Sequence, residues 1–228
     1  FSGCSALTTV AIPGSVVQIG DGAFSVCKSL SHVTIPGRVT AIGNSAFEGC
    51  SGLEGIAIPD GVASIGDFAF YNCDALKRVS IGSGVSHIGT GAFRYCVSLT
   101  AIDVASSNRA YSSLDGVLFD KSRQNLIQCP GGRSGNYDMP ASVIVVSELA
   151  FSRCPGLTRV TVPARVSKIG SSAFSFCKSL AIVTFGGDAP RVDPGLYSRA
   201  DHWTAFYYSG TKGWGEKFAG RPTVPLRR

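Results

Sequence analysis

Phenylalanine recurs at positions 1, 24, 47, 70 and 93, always 23 residues apart, and again at 151 and 174. Three residues after each stands a cysteine: Cys4, Cys27, Cys50, Cys73, Cys96, Cys154 and Cys177. Self-similarity at a fixed period of this length marks a solenoid, in which each repeat is one coil that buries its apolar face only against its neighbours. Such a stack makes a long surface rather than a pocket. Its default role is recognition, not catalysis.

Aligned on phenylalanine, the unit reads Phe-x-x-Cys-x-x-Leu-x-x-Val-x-Ile-Pro-x-x-Val-x-x-Ile-Gly-x-x-Ala. The Val-x-Ile step, as in Val33/Ile35 and Val79/Ile81, alternates apolar with variable residues and predicts a half-exposed strand. Proline follows at Pro13, Pro36, Pro59, Pro140 and Pro163, where it ends the strand because it cannot donate to a ladder. A second apolar step, such as Val39-x-x-Ile42-Gly43, crosses the back of the coil, and Ala-Phe-x-x-Cys returns the chain to the front. Abundant Val, Ile and Thr favour strands, and 28 glycines suit a turn repeated in every coil.

At nearly every apolar position the unit resembles the BspA-like leucine-rich repeat family with 23-residue repeats. The resemblance runs from Phe1 to about Tyr208. It implies a β-rich repeat solenoid: a right-handed leucine-rich-repeat coil with a parallel sheet, short back strands and turns. It also implies surface-exposed or secreted proteins, mostly bacterial, that act in adhesion and protein recognition. It carries over no catalytic residues.

Two stretches depart from the unit. Between Phe93 and Phe151 the spacing is 58, one normal unit plus one of 35. Gly116-Val117-Leu118-Phe119 and Leu126-Ile127-Gln128-Cys129 flank the polar stretch 120–125, which predicts a hairpin projecting from an enlarged coil. At the end, a step of 23 carries Phe174 to Tyr197, Cys177 to Ala200, Leu180 to Trp203, Val183 to Phe206 and Phe185 to Tyr208. This predicts a degenerate coil of larger aromatics forming a C-terminal cap, with Trp214 and Phe218 plugging the end. The expected organisation is a solenoid over 1–208, with regular coils over 1–104 and 137–185. The enlarged coil takes 105–136, the capping coil 186–208, and a cap or tail 209–228.

The chemistry-bearing residues do not converge. No two cysteines lie closer than 23 residues, which excludes a Cys-x2-Cys zinc cluster. The ladder cysteines are expected reduced and buried, and the off-ladder Cys129 is expected to be the most exposed. His32, His87 and His202 build no triad, and Asp115-Gly116 and Asp120 lack the alternating carboxylates of a calcium loop. Serine is plentiful without a Gly-x-Ser-x-Gly elbow. No cofactor, metal or catalytic residue is expected, and the chain is read as no enzyme. Net charge is +6, but the basic residues are scattered and do not interleave with aromatics as a nucleic-acid groove requires. No apolar stretch approaches the ~20 residues of a membrane span.

What remains is surface. The outward residues of the front strands are mostly small, and Arg78, Asp103, Arg159 and His32 rise from them. The turn after phenylalanine adds a competing edge with Tyr71, Arg94, Tyr95, Arg153 and Phe176. These residues are the candidate partner-binding set, since arginine and tyrosine are favoured at hot spots. The expected role is a protein-recognition or adhesion module of a larger extracellular or cell-surface protein, with an unidentified protein or glycoprotein ligand. The alternative is a structural spacer or assembly subunit, self-associating through its first coil or stacking through its edges.

Overall fold

A computed structural model describes residues 1–193 and 203–227. The expectations for Tyr197, Ala200 and His202 lie outside the described residues. The chain forms two compact units, one of 1–121 with 130–132, the other of 122–129 with 133–228. Both are coils of short strands, and no helix occurs among the described residues.

In the first unit the strands are β1 (Thr9–Ala11), β2 (Gln18–Ile19), β3 (His32–Thr34), β4 (Ala41–Ile42), β5 (Gly55–Ile58), β6 (Ser64–Ile65), β7 (Arg78–Ile81), β8 (His87–Ile88), β9 (Ala101–Val104), β10 (Tyr111–Leu114) and β11 (Val117–Asp120). Front strands pair in parallel at a step of 23, as Val79 opposite Ile102 shows, in two groups, β1–β3 and β5–β7–β9. The back strands β2–β4–β6–β8 form a second parallel sheet, which the sequence foresaw as the Val-x-x-Ile-Gly crossing. Proline marks the bend in the first three coils: the Val39 and Val62 amides donate to the Pro36 and Pro59 carbonyls at 3.0 and 3.1 Å.

Between the sheets the repeat residues stack. The rings of Phe1, Phe24, Phe47, Phe70 and Phe93 lie 5.2–5.6 Å apart and within 12° of parallel. Each thiol donates to the phenylalanine carbonyl of the coil before: Cys50 to Phe24 at 3.1 Å, Cys73 to Phe47 at 3.2 Å, Cys96 to Phe70 at 3.1 Å. A carbonyl in a buried turn needs a donor, and the small thiol supplies one while packing as an apolar group. This explains cysteine at that position better than size alone.

Coils also lock across the back. The Asp67 amide donates to the Asn44 side chain at 2.8 Å and the Thr90 amide to Asp67 at 2.7 Å, one coil on. Gly66 and Gly89, the glycines of two Ile-Gly steps, lie against these groups. A Cβ on Gly66 would stand 2.6 Å from the amide nitrogen and from the side-chain oxygen of Asn44. Close approach fixes this glycine, since its φ lies outside the left-handed region.

The insertion begins one strand earlier than the sequence suggested. Tyr111–Leu114 pairs antiparallel with Val117–Asp120 around Asp115 and Gly116, both at positive φ, the geometry of a tight Asp-Gly hairpin turn. Asn108, fully buried, anchors it: its side-chain nitrogen donates to the Gly82 and Val85 carbonyls, and its oxygen accepts from the Ala110 and Tyr111 amides.

The second unit holds β12 (Asn125–Gln128), β13 (Gly135–Asp138), β14 (Val145–Val146), β15 (Leu157–Val162), β16 (Lys168–Ile169), β17 (Ile182–Phe185), β18 (Arg191–Val192), β19 (Thr204–Tyr208), β20 (Lys217–Phe218) and β21 (Arg221–Leu226). Its front sheet runs β13–β15–β17–β19–β21 and its back row β12–β14–β16–β18. Phe151 and Phe174 stack at 5.1 Å. Two expectations are corrected here. Cys129 is fully buried, because the apolar run before it folds inward with Leu126, and its carbonyl faces the Cys154 thiol. The last coil steps by 22, not 23: Val183 lies opposite Ala205 and Phe185 opposite Tyr207. A one-residue slip exchanges the two faces of a strand. Ala205 is therefore buried, Phe206 is half-exposed, and Trp203 meets Phe174 edge-on at 6.0 Å.

The end of this unit is more ordered than a loose tail. β21 extends the sheet in parallel with β19 and turns back on β20. Trp214 and Phe218 pack on Phe185 with ring centres 5.0 and 5.2 Å away, as the plug reading required.

Candidate functional site

Three of the four front-row candidates lie in the first unit. His32 is exposed on β3. Arg78 on β7 and Asp103 on β9 are joined by an ion pair of 3.1 Å, with side chains 70% and 46% exposed. The pair runs diagonally, since Arg78 stands opposite Ala101 and Ser80 opposite Asp103. At such exposure it contributes about 0–1 kcal/mol to stability, so its placement does not serve the fold. Around it the row is flat: Thr34, Ala57 and Ser80 are exposed, and Gly55 and Ala101 add no bulk. Arg159 is exposed on β15 of the second unit, between Thr158 and Thr161.

The edge candidates, Arg94 and Tyr95, also come together. The Arg94 guanidinium lies 4.6 Å from the centre of the Tyr95 ring and donates to its hydroxyl at 3.3 Å. Tyr71 packs on Tyr95 at 4.9 Å, and Phe68 meets Tyr71 edge-on at 5.7 Å and 89°. Sequence reasoning missed Phe68, whose position two before the repeat phenylalanine carried no pattern. It also missed the backbone state of this edge. The second residue after phenylalanine is left-handed in every coil: Gly3, Val26, Gly49, Asn72 and Tyr95 in the first unit, Arg153 and Phe176 in the second. The second residue before it is left-handed too, at Gly22, Ser45, Phe68, Gly91, Leu149 and Ser172. Glycine and asparagine adopt this conformation readily, while a β-branched or bulky residue there costs on the order of 1–2 kcal/mol. Val26, Phe68 and Tyr95 hold side chains on the rim against that cost.

The thiols offer no reactive centre inside the stack. None is in a disulfide, and all but Cys4 are buried. Burial pushes Cys50 up to about 12, with the neighbouring Cys27 adding to it. A hydrogen bond that the thiol donates to the neighbouring cysteine, then burial, raises Cys73 and Cys154 well above the ordinary range. Cys4 is exposed, against the ladder expectation. His87, on β8 of the back sheet, is exposed and joins no other candidate. No cluster of metal-ligating side chains occurs among the described residues, nor any helix long and apolar enough to cross a membrane.

Parallel front strands, short back strands and stacked apolar ladders define a leucine-rich-repeat solenoid. The chain belongs to the BspA type leucine rich repeat region family, whose profile matches residues 1–122 and 134–211 in six copies. Its fold is similar to that of the pneumococcal vaccine antigen PcpA, with a TM-score of 0.67 at 18% identity over 92% of this chain and 71% of that one. A leucine-rich repeat protein from Eubacterium ventriosum aligns with a TM-score of 0.62 at 20% identity, over 97% of this chain and 73% of its own. A leucine-rich repeat protein from Bacteroides ovatus gives 0.62 at 24% identity, over 91% of this chain and 51% of that one. No curated protein matches the sequence.

Proposed function

We propose that this chain is a non-enzymatic recognition or adhesion module of a larger surface or secreted bacterial protein, binding a protein or glycoprotein ligand through its front strands. The observation that carries this reading is the contrast on the outward row, where exposed charged side chains stand on a sheet of Thr, Ala, Ser and Gly. Small neighbours let a partner approach the sheet closely, and the few large side chains then concentrate the contact. Arg78 with Asp103, and His32 nearby in the same unit, form one such contact; Arg159 forms another in the second unit. Family membership supports recognition in general. The surface address rests on likeness to proteins such as the vaccine antigen PcpA and a leucine-rich cell surface protein from Faecalibacterium prausnitzii.

The test is a footprint. The intact protein is incubated with candidate surface and matrix proteins, and side-chain oxidation is mapped with and without each partner bound. Protection concentrated on β3, β7, β9 and β15 supports the reading. Protection confined to back strands overturns it.

A further inference from the structure

The edge of the first unit carries a second feature, independent of the front row. Glu48, Phe68, Tyr71 and Arg94 line a cleft of about 310 Å³. Beside it lies another of about 350 Å³, sharing Glu48 and Tyr71 and adding Lys28, Ser51, Asn72 and Asp74. Phe68 is 37% exposed, and its ring lies over Gly91, where a Cβ would come within 2.8 Å of it. Glycine at 91 thus makes room for the ring.

The charges in the first cleft do not satisfy each other. The Glu48 carboxylate, half-buried, makes no hydrogen bond or ion pair among the described residues. Arg94 donates only to the Tyr95 hydroxyl, and its Nε is buried without a partner. An anionic ligand would suit Arg94 and meet repulsion from Glu48; a cationic one would do the reverse. A hydroxyl both donates and accepts, so a neutral ligand with adjacent hydroxyls serves the two together. The aromatic walls complete the chemistry, since the negative face of a ring attracts the slightly positive C–H face of a sugar.

The backbone argues in the same direction. A bound peptide gains much of its affinity by pairing main chain with main chain. At this edge those groups are already used between coils: the Phe47 amide donates to Ala69 at 2.8 Å, Gly49 to Tyr71 at 2.8 Å and Asn72 to Arg94 at 2.9 Å. Side chains alone are left to hold a ligand.

We infer that the Phe68–Tyr71–Arg94–Glu48 edge is a binding site for a neutral oligosaccharide, one sugar stacking in each of the two clefts that share Tyr71. The intact chain is applied to an array of neutral, anionic and basic oligosaccharides, and the strongest neutral binder is carried into calorimetry. Binding weakens at least tenfold in Phe68→Gly and in Tyr71→Ala, and also falls in Glu48→Gln, while thermal unfolding stays as in the parent. Phe68→Gly keeps this test sound, because glycine suits the left-handed backbone there. Arg78→Ala leaves glycan binding unchanged, so the front-row reading and this one fail separately. Absence of binding to any neutral glycan at millimolar concentration overturns the inference. So does affinity unmoved by both ring variants, or a ligand at this edge that proves to be a peptide.

Discussion

Replacing Gly66 with alanine tests how the coils are spaced. The new methyl would lie 2.6 Å from the Asn44 amide nitrogen, the Asn44 side-chain oxygen and the Gly43 carbonyl carbon. Ordinary contact begins at 3.4 Å. Two of the three atoms are backbone, so the turn after β6 must move away from the turn after β4 by most of an ångström. Overpacking of this kind costs about 1–3 kcal/mol. The same shift stretches the 2.8 Å bond from the Asp67 amide to Asn44, worth about 0.5–1.5 kcal/mol. Against these, alanine restricts the unfolded chain and returns about 0.4–1 kcal/mol. The net expectation is a loss of about 2–3 kcal/mol. Gly37→Ala is the control, since nothing lies within 4 Å of its Cβ and its φ is not left-handed. It should be neutral or stabilise by up to about 1 kcal/mol. Urea denaturation of both variants reads the difference. A Gly66→Ala protein within 0.5 kcal/mol of the parent would refute the close-approach argument.

Thiol labelling of the folded protein should modify Cys4 alone, and denaturant should expose all eight; fast labelling of Cys129 would contradict its burial. The raised thiols bind protons more tightly when folded, so their contribution is fully present below the ordinary value of 9.0 and is lost as pH rises toward about 12, where Cys50 titrates. Stability measured from pH 7 to 11 should hold to about 9 and then fall; a rise above 9 would reverse the sign of the argument. Val26→Gly should melt within a degree or two of the parent or above it, because relief of a β-branched left-handed residue offsets the lost side chain. A melting temperature lowered by 5 °C would show that the Val26 side chain supports the fold.

Much of the architecture is legible in the 23-residue period, because identical coils must place identical residues in register. The phenylalanine stack, the front strands and the proline bends all follow from spacing alone. What the period hides is conformation at variable positions. Gly3, Gly49 and Asn72 mark the left-handed site after phenylalanine, but Val26 and Tyr95 occupy the same site and obscure it. The Ile-Gly glycine reads as a turn residue, whereas contact with the preceding coil fixes it. At the last coil the aromatic residues invite a step of 23, and only the hydrogen-bond register shows the shortened step. Asn108 looks like one more loop asparagine until its four hydrogen bonds are seen. For the surface, charged residues on the front row were readable by alternation, and the pairing of Arg78 with Asp103 was not, since it joins strands 25 residues apart on a diagonal.

The recognition role itself is tested most directly by affinity. A protein ligand verified by footprinting is titrated against the parent and against Arg78→Ala/Arg159→Ala, with unfolding followed in parallel. Neither arginine belongs to an apolar ladder and the Arg78–Asp103 pair is exposed, so stability should change by less than about 1 kcal/mol. Binding should weaken at least tenfold, about 1.4 kcal/mol. Unchanged affinity with the fold intact would contradict a front-row site.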